Sequence, residues 1–351
     1  MTDAATPLRI AMISYYLPSG SKIGVGFQVH EIATELVRRG HVVDVFSDCP
    51  PVEGAIYGHR HVKMTGKLRT FRFALALRKV DFSEYDVLHA HGDDYWLWRR
   101  RVPRHVRTIH GSCFSEAFRI PGLSEKLRMF VLGLSEVLAS VVADKTVVVS
   151  PATRKWYPWV RDVIPNGVDT KRFSPAPEWK ADVPTVLFVG TWSNRKRGSL
   201  LAEAFSSVVR PAIPNAELEM VCRDAPADPG EGIRVLGALS DAELVGAYQR
   251  SWVFALPSSY EGFGIPYIEA MASGTPVVAT PNVGARYVTG GGEDGVLVDV
   301  DHLGQAIVEL LGDPQRRTRL AVAGAARAAR SFSLESVVDR YESLYWGRKG
   351  V

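Results

Sequence analysis

Short runs rich in Val, Ile and Leu recur along the chain: Leu8–Tyr15, Val42–Phe46, Val87–His89, Arg107–His110, Thr146–Val149, Thr185–Val189, Leu218–Cys222, Trp252–Leu256, Pro276–Ala279 and Gly295–Val298. Most lack the apolar–polar alternation of a half-exposed strand, and stretches of helical spacing lie between them. Continuous apolar strands alternating with amphipathic helices predict parallel sheets covered on both faces, which is a doubly wound α/β architecture.

A break falls at Phe173–Pro184, where SPAPEWKADVP places three prolines among polar residues before the next strand begins. It predicts two α/β halves: 1–172, a linker at 173–184, and 185–331. A final segment, 332–351, holds a helix over Leu334–Trp346, whose apolar positions Leu334, Val337, Val338, Tyr341, Leu344 and Tyr345 follow helical spacing. This helix can pack on either half. The apolar stretch Phe130–Ala143 follows Lys126 and Arg128 and contains Glu136, so it reads as a buried or amphipathic helix and not a membrane span.

Composition narrows the class without changing the fold. A length of 351 residues suits two domains, and 46% hydrophobic with 23% charged residues is ordinary for a globular protein. A net charge of +4 is too small to argue for nucleic acid and mildly favours anionic ligands. Cys49, Cys113 and Cys222 are odd in number and widely spaced, which predicts a reducing compartment and no thiolate metal site. The N-terminus, with Asp3, has no basic region preceding its apolar run, so no secretory signal is read there.

Two glycine-bearing turns are candidates for phosphate chemistry. Gly24-Val25-Gly26 opens a helix expected over Phe27–Arg39, and backbone N–H groups there can approach an anion. Position 29 is Val, so the dinucleotide fingerprint fails and a dehydrogenase is rejected. In the second half, Gly190 is followed by Arg195, Lys196 and Arg197, three cations at a strand-to-helix turn that suit a diphosphate. Then PSSYEGFGIPYIEA, 257–270, offers Glu261, a glycine loop and Glu269. A glycosidase pair would flank a single bond; a loop residue and one eight positions later read better as separate contacts on an extended ligand.

Asp93 and Asp94 follow a strand and read as a solvated loop, not a metal site. His89 and His91 read either as substrate-side or as plain edge residues, and Arg223 and Asp224 either as a nucleobase flank or as a surface pair. The stretch Tyr95–Arg101 mixes aromatics with cations and reads as a solvated basic helix end, or else as a contact to a membrane surface or to an anionic acceptor.

Taken in order, the Glu261-to-Glu269 block with GFG inside it, AMASGTPVVA at 270–279, PNGVD at 165–169 with Phe173 and Pro175, TIHG at 108–111 and Val149-Ser150 resemble glycosyltransferase family 4, retaining enzymes of the GT-B fold. The resemblance covers nearly the whole chain. It implies two Rossmann-like domains facing a central cleft, the first on the acceptor side and the second holding the donor, with the last helix returning to the first domain.

By that resemblance, the catalytic residues are His110, Glu261, Lys196 and Arg197: Lys196 and Arg197 on the donor diphosphate, His110 near the anomeric carbon. Substrate contacts are Gly24, Gly26, Gln28, Gly262, Phe263, Gly264, Ile265 and Glu269, the last on the ribose hydroxyls. Thr191 stands where the family often has Arg, Gln28 where it often has His, and Val283–Tyr287 lacks the usual Glu.

The implied reaction moves a hexose-type sugar with retention from a nucleotide-diphosphate sugar, of UDP or GDP type, to a hydroxyl of a small-molecule, glycan or lipid-linked acceptor. It implies no metal, no cofactor and no nucleic acid, in a cytoplasmic enzyme that can be peripheral to the inner membrane face. The alternatives are a nucleotide-sugar 2-epimerase of the same fold and a non-catalytic nucleotide-sugar-binding protein.

Overall fold

The computed structural model describes residues 6–20, 24–66, 68–98, 102–118 and 122–347; Asp3 and Arg99–Arg101, singled out above, lie outside them. The chain forms two compact units, Met1–Gly167 with Leu334–Val351, and Val168–Ser333.

The sheet of unit 1 contains β1 (Arg9–Ile13), β2 (Val42–Ser47), β3 (Gly58–His61), β4 (Val87–Ala90), β5 (Arg104–Ile109), β6 (Lys145–Val148) and β7 (Asp162–Val163) in the order 3-2-1-4-5-6-7. Unit 2 contains β8 (Thr185–Val189), β9 (Glu217–Val221), β10 (Ile233–Val235), β11 (Val253–Leu256), β12 (Val277–Ala279) and β13 (Val296–Leu297) in the order 10-9-8-11-12-13. Every pairing is parallel. The central strands β4 and β11 are buried at every position, as strands covered on both faces must be. Each unit is therefore doubly wound, and its strand order reverses once, beside β1 in one and beside β8 in the other. Loops leaving the carboxyl ends of the strands flanking such a reversal open a crevice that suits a ligand.

Three strands were not foreseen. β3 has the sequence GHRH with no buried residue, β10 has one buried residue, and β7 has only two residues. Edge strands are often short and polar, so they leave no apolar run to read.

Pro175 and its neighbours do not form a free connection. Residues 173–184 lie in unit 2, where Phe173 packs edge-on against Tyr248 and Gln249 Nε2 donates to the Ser174 carbonyl at 2.9 Å. The helix Leu334–Tyr345 belongs to unit 1. Its Leu334, Val337, Val338, Tyr341 and Tyr345 join the core of Leu8, Ile10, Met12, Val29 and Ile32. Its outer face is tied by Arg39 to Asp339 and Glu342, each at 2.6 Å, and by His41 to Glu342 at 2.8 Å.

Candidate functional site

In unit 2, the turn after β8 and the turn after β11 are knitted into one body. Ser259 N donates to the Arg195 carbonyl at 2.8 Å, the Ser258 hydroxyl donates to the same carbonyl at 3.0 Å, and Arg195 Nη1 returns to the Tyr260 carbonyl at 2.9 Å. Across this seam lies Glu261. Its Oε1 is 2.7 Å from Lys196 Nζ and its Oε2 is 2.8 Å from Arg195 Nη1.

Burial alone would raise the Glu261 pKa, but Lys196 and Arg195 outweigh it and hold the carboxylate below its usual range. Burial also lowers Lys196, which Glu261, and more weakly Glu269, pull back toward the charged form. Arg197 sits beside them in the left-handed region, φ 57°, as does Asn194 at φ 63°. Non-glycine residues held there carry backbone strain, which the surrounding hydrogen bonds must offset. The Arg197 guanidinium has no ion pair among the described residues.

Gly262, Phe263, Gly264 and Ile265 continue the second turn. Gly264, at φ 96°, caps the helix Ile265–Ala272, and a Cβ there would lie 2.3 Å from the Tyr267 ring. Gly284 N donates to the Glu261 carbonyl at 2.9 Å, and a Cβ on Gly284 would meet Phe263 O at 2.4 Å. The Val283–Tyr287 segment, lacking the glutamate, thus presses directly on the Glu261 turn. Glu269, a turn into the helix, accepts from the Tyr248 hydroxyl at 2.9 Å.

Asp224 is exposed, as is Arg223, and accepts from the backbone N–H of Trp192 at 2.8 Å and of Ser193 at 3.4 Å, so it shapes the cationic turn. Asn282 was missed: its amide donates to the Ser258 carbonyl at 3.0 Å and to the Tyr267 hydroxyl at 3.1 Å. Its only signal was the position of an Asn directly before a short helix, where it accepts from Ala285 N.

In unit 1, His110 follows β5. Its Nδ1 lies 3.1 Å from Asn166 Oδ1 and its Nε2 2.8 Å from His91 Nδ1. His89 stacks behind His91, with ring centroids 4.1 Å apart, and bonds Tyr345 and Thr108. Burial keeps all three neutral, helped by neighbouring imidazoles at His89 and His91 and by Arg107 at His91 and His110, and opposed by the Asn166 bond at His110: His110 falls to about 4, His89 to about 3, and His91 well below its ordinary value.

Gln28 is buried with both ends of its amide engaged, Nε2 donating to Gly167 O at 2.9 Å and Oε1 accepting from Gly167 N at 2.8 Å. Gly24 begins the helix Gly24–Arg38, and Gly26 packs against the backbone of Tyr16 and Leu17.

One expectation needs correcting. Asp93 and Asp94 are not solvated. Asp94 is wholly buried, bonded to His105 Nε2 at 2.9 Å and ion-paired with buried Arg107; Asp93 is buried beneath Tyr95, and burial raises it to about 7. Adjacent strand β5 supplies the counter-charge, so the pair folds inward. In the 95–101 stretch, Tyr95 and Leu97 are core residues and exposed Trp98 lies under Arg78, while Arg99–Arg101 lie outside the described residues. Among the described residues, no group of three or more His, Cys, Asp or Glu is placed to hold a metal ion.

Two doubly wound units, the second with a cationic turn at its strand-order reversal, fit the class that the relatives of this chain establish, a glycosyltransferase of the GT-B type. Over 97% of this chain, the structure matches sucrose-phosphate synthase from Thermosynechococcus elongatus (TM-score 0.78, 22% identity, 98% of that chain). It matches Anabaena Alr3699/HepE in complex with UDP-glucose over the same share (TM-score 0.76, 18% identity, 100% of that chain). The chain belongs to glycosyltransferase family 4: the "Glycosyltransferase Family 4" model matches residues 23–172 and the "Glycosyl transferases group 1" model matches 183–313. A relative, the D-inositol 3-phosphate glycosyltransferase of Kineococcus radiotolerans, is 28% identical over 98% of this chain and 96% of its own length.

Proposed function

We propose that this glycosyltransferase moves a hexose-type sugar, with retention of configuration and without a metal, from a nucleotide-diphosphate sugar to an acceptor hydroxyl. The observation that carries this reading is Lys196 held on Glu261 beside Arg197, at the end of β8 where the strand order of unit 2 reverses.

Cleavage of the bond between the anomeric carbon and the phosphate oxygen leaves negative charge on the diphosphate. Side-chain cations fixed before the reaction stabilise that charge without reorganising. Glu261 serves this by keeping buried Lys196 charged and in place, and Arg197, with no ion pair of its own among the described residues, supplies forked contacts to phosphate oxygens. The helix Ile265–Ala272 adds backbone N–H groups at its start for the sugar or phosphate. Glu269 takes the ribose hydroxyls, and His110, a neutral imidazole, contacts the transferred sugar. The acceptor oxygen bonds to the anomeric carbon as the phosphate leaves from the same face, and the departing phosphate takes the acceptor's proton.

A donor of this kind is what Alr3699/HepE was solved with. The three free cysteines support a reducing, cytoplasmic compartment.

The test is turnover with a panel of UDP- and GDP-sugars, with and without acceptor and chelator, with the product's anomeric configuration read by NMR. Acceptor-dependent release of nucleoside diphosphate, insensitive to chelator, with the donor's configuration kept is expected. An inverted product, or isomerised donor without acceptor, overturns the reading.

A further inference from the structure

A cavity of about 380 Å³ lies wholly within unit 2, at the carboxyl ends of β12 and β13, one strand beyond the turn that carries Glu261. Small-molecule sites commonly enclose about 300–1,000 Å³. Pro281 lies just past β12, Leu297 ends β13, and Val298 and Asp299 follow it, with Val298 N donating to the Ala279 carbonyl at 3.0 Å. Arg286 comes from the helix Val283–Val288, Gly291 from the turn after that helix, and His302 from the turn after Asp299.

The lining divides by chemistry. Pro281, Leu297 and Val298 are half-buried and apolar, while Arg286, Asp299 and His302 are exposed. Among the described residues, none of these three side chains has a hydrogen bond or an ion pair. Arg286 and Asp299 thus share one cavity without pairing with each other. Gly291, at φ 77°, leaves its backbone open, because a Cβ there would meet nothing within 4 Å. The cation is this chain's own feature: it stands in the Val283–Tyr287 segment, where the family's glutamate is usual.

Charge balance selects the occupant. A phosphate dianion would meet one guanidinium and face the Asp299 carboxylate, and a plain cation would meet Asp299 and face Arg286. A molecule carrying both signs satisfies both groups. A guanidinium forks onto the two oxygens of a carboxylate, and a carboxylate accepts well from an ammonium. The apolar walls leave room for a hydrocarbon side chain. We propose that this cavity binds a free amino acid, with its carboxylate on Arg286 and the Gly291 amide, its ammonium on Asp299, and its side chain against Pro281, Leu297 and Val298. The site uses neither Lys196 nor Arg197 and does not rest on the donor reading. The helix Val283–Val288 joins the two regions, since it carries Arg286 and its Gly284 N donates to the Glu261 carbonyl.

The test is a thermal-shift screen of the full chain with the common amino acids, where a ligand of the folded state raises the melting temperature. Calorimetry then compares the tightest binder with its N-acetyl form, which lacks the ammonium, and its amide, which lacks the carboxylate. The free amino acid should bind, and each capped form should bind roughly ten- to a hundred-fold more weakly, the scale of losing one hydrogen bond to a charged group. Arg286→Ala and Asp299→Asn should each weaken the free amino acid by a similar factor. Asp299→Asn should leave the N-acetyl form unchanged, and Lys196→Ala should leave all three ligands unchanged. Arg286 and Asp299 are exposed, so their variants keep the fold, which circular dichroism checks. No stabilisation by any amino acid, capped forms that bind as tightly as the free one, or wild-type affinity in Arg286→Ala would each overturn the proposal.

Discussion

His91 Nδ1 lies 2.8 Å from His110 Nε2, and the two rings stack with centroids 5.2 Å apart. Because His110 Nδ1 faces the Asn166 carbonyl oxygen, the proton of His110 sits on Nδ1 and its Nε2 accepts from His91. The remaining nitrogen of His91, Nε2, is then a buried acceptor without a hydrogen-bond partner among the described residues. Asn166, accepting from Nδ1, and His91, donating to Nε2, together fix the tautomer of His110. His91→Asn, which keeps a donor near the Nδ1 position, should retain transfer activity better than His91→Phe. Ring 15N shifts should show His110 losing its single tautomer in the Phe variant; equal shifts and rates in both variants would remove this role.

The same histidines set a pH limit on stability. Their folded pKa values lie below the ordinary 6.5, with His110 near 4 and His89 near 3. Between those values and about 6.5 the unfolded chain binds more protons than the folded one. Stability should be unaffected by these groups above that range and fall as pH drops from 6.5 toward 4. Urea midpoints measured across this window check the sign. A midpoint that rises on acidification would contradict it.

Lys196→Ala removes the cation that the proposed mechanism places on the leaving diphosphate. A drop in kcat of about 10²–10³-fold is expected, the scale of deleting one pre-aligned electrostatic contact. Glu261→Gln should lose less than Glu261→Ala, because an amide oxygen still receives Lys196. Steady-state kinetics beside circular dichroism separates this from unfolding.

Asp94→Ala leaves Arg107 buried without its ion-pair partner and should destabilise unit 1 by about 3–5 kcal/mol. The double variant Asp94→Leu/Arg107→Leu should recover much of that loss. Denaturant titrations of the single and double variants give the coupling directly.

Gly284→Ala pushes a methyl to within 2.4 Å of the Phe263 carbonyl oxygen. The Glu261 turn must then move. A loss of about 1–3 kcal/mol is expected, the usual range for overpacking, together with weaker donor binding by calorimetry. Unchanged donor affinity would show that the Val283–Tyr287 segment does not position that turn.

Much of the fold was legible because central strands such as Val253–Leu256 are apolar throughout and their spacing between helices is regular. Residues whose partners are distant in sequence were less so. Arg195 and Lys196 find Glu261 only because β8 and β11 are neighbours in space, and this grouping was visible only as a family pattern. Asp94 looked like a loop residue until β5 brought His105 and Arg107 against it. The stretch Phe130–Ala143 is apolar on both faces of its helix, and composition alone cannot say which face the protein covers.

Val168 and Ser333 form a bridge, with Val168 N donating to the Phe332 carbonyl at 2.8 Å, so unit 2 begins and ends at one place. Unit 1, by contrast, is completed only by Leu334–Tyr345. During synthesis from the N-terminus, where domains fold as they emerge, the strands of unit 1 must wait with the groove for Tyr341 and Tyr345 unfilled until the helix Leu334–Tyr345, made after all of unit 2, has left the ribosome. Meanwhile the later-made unit already has all of its own strands.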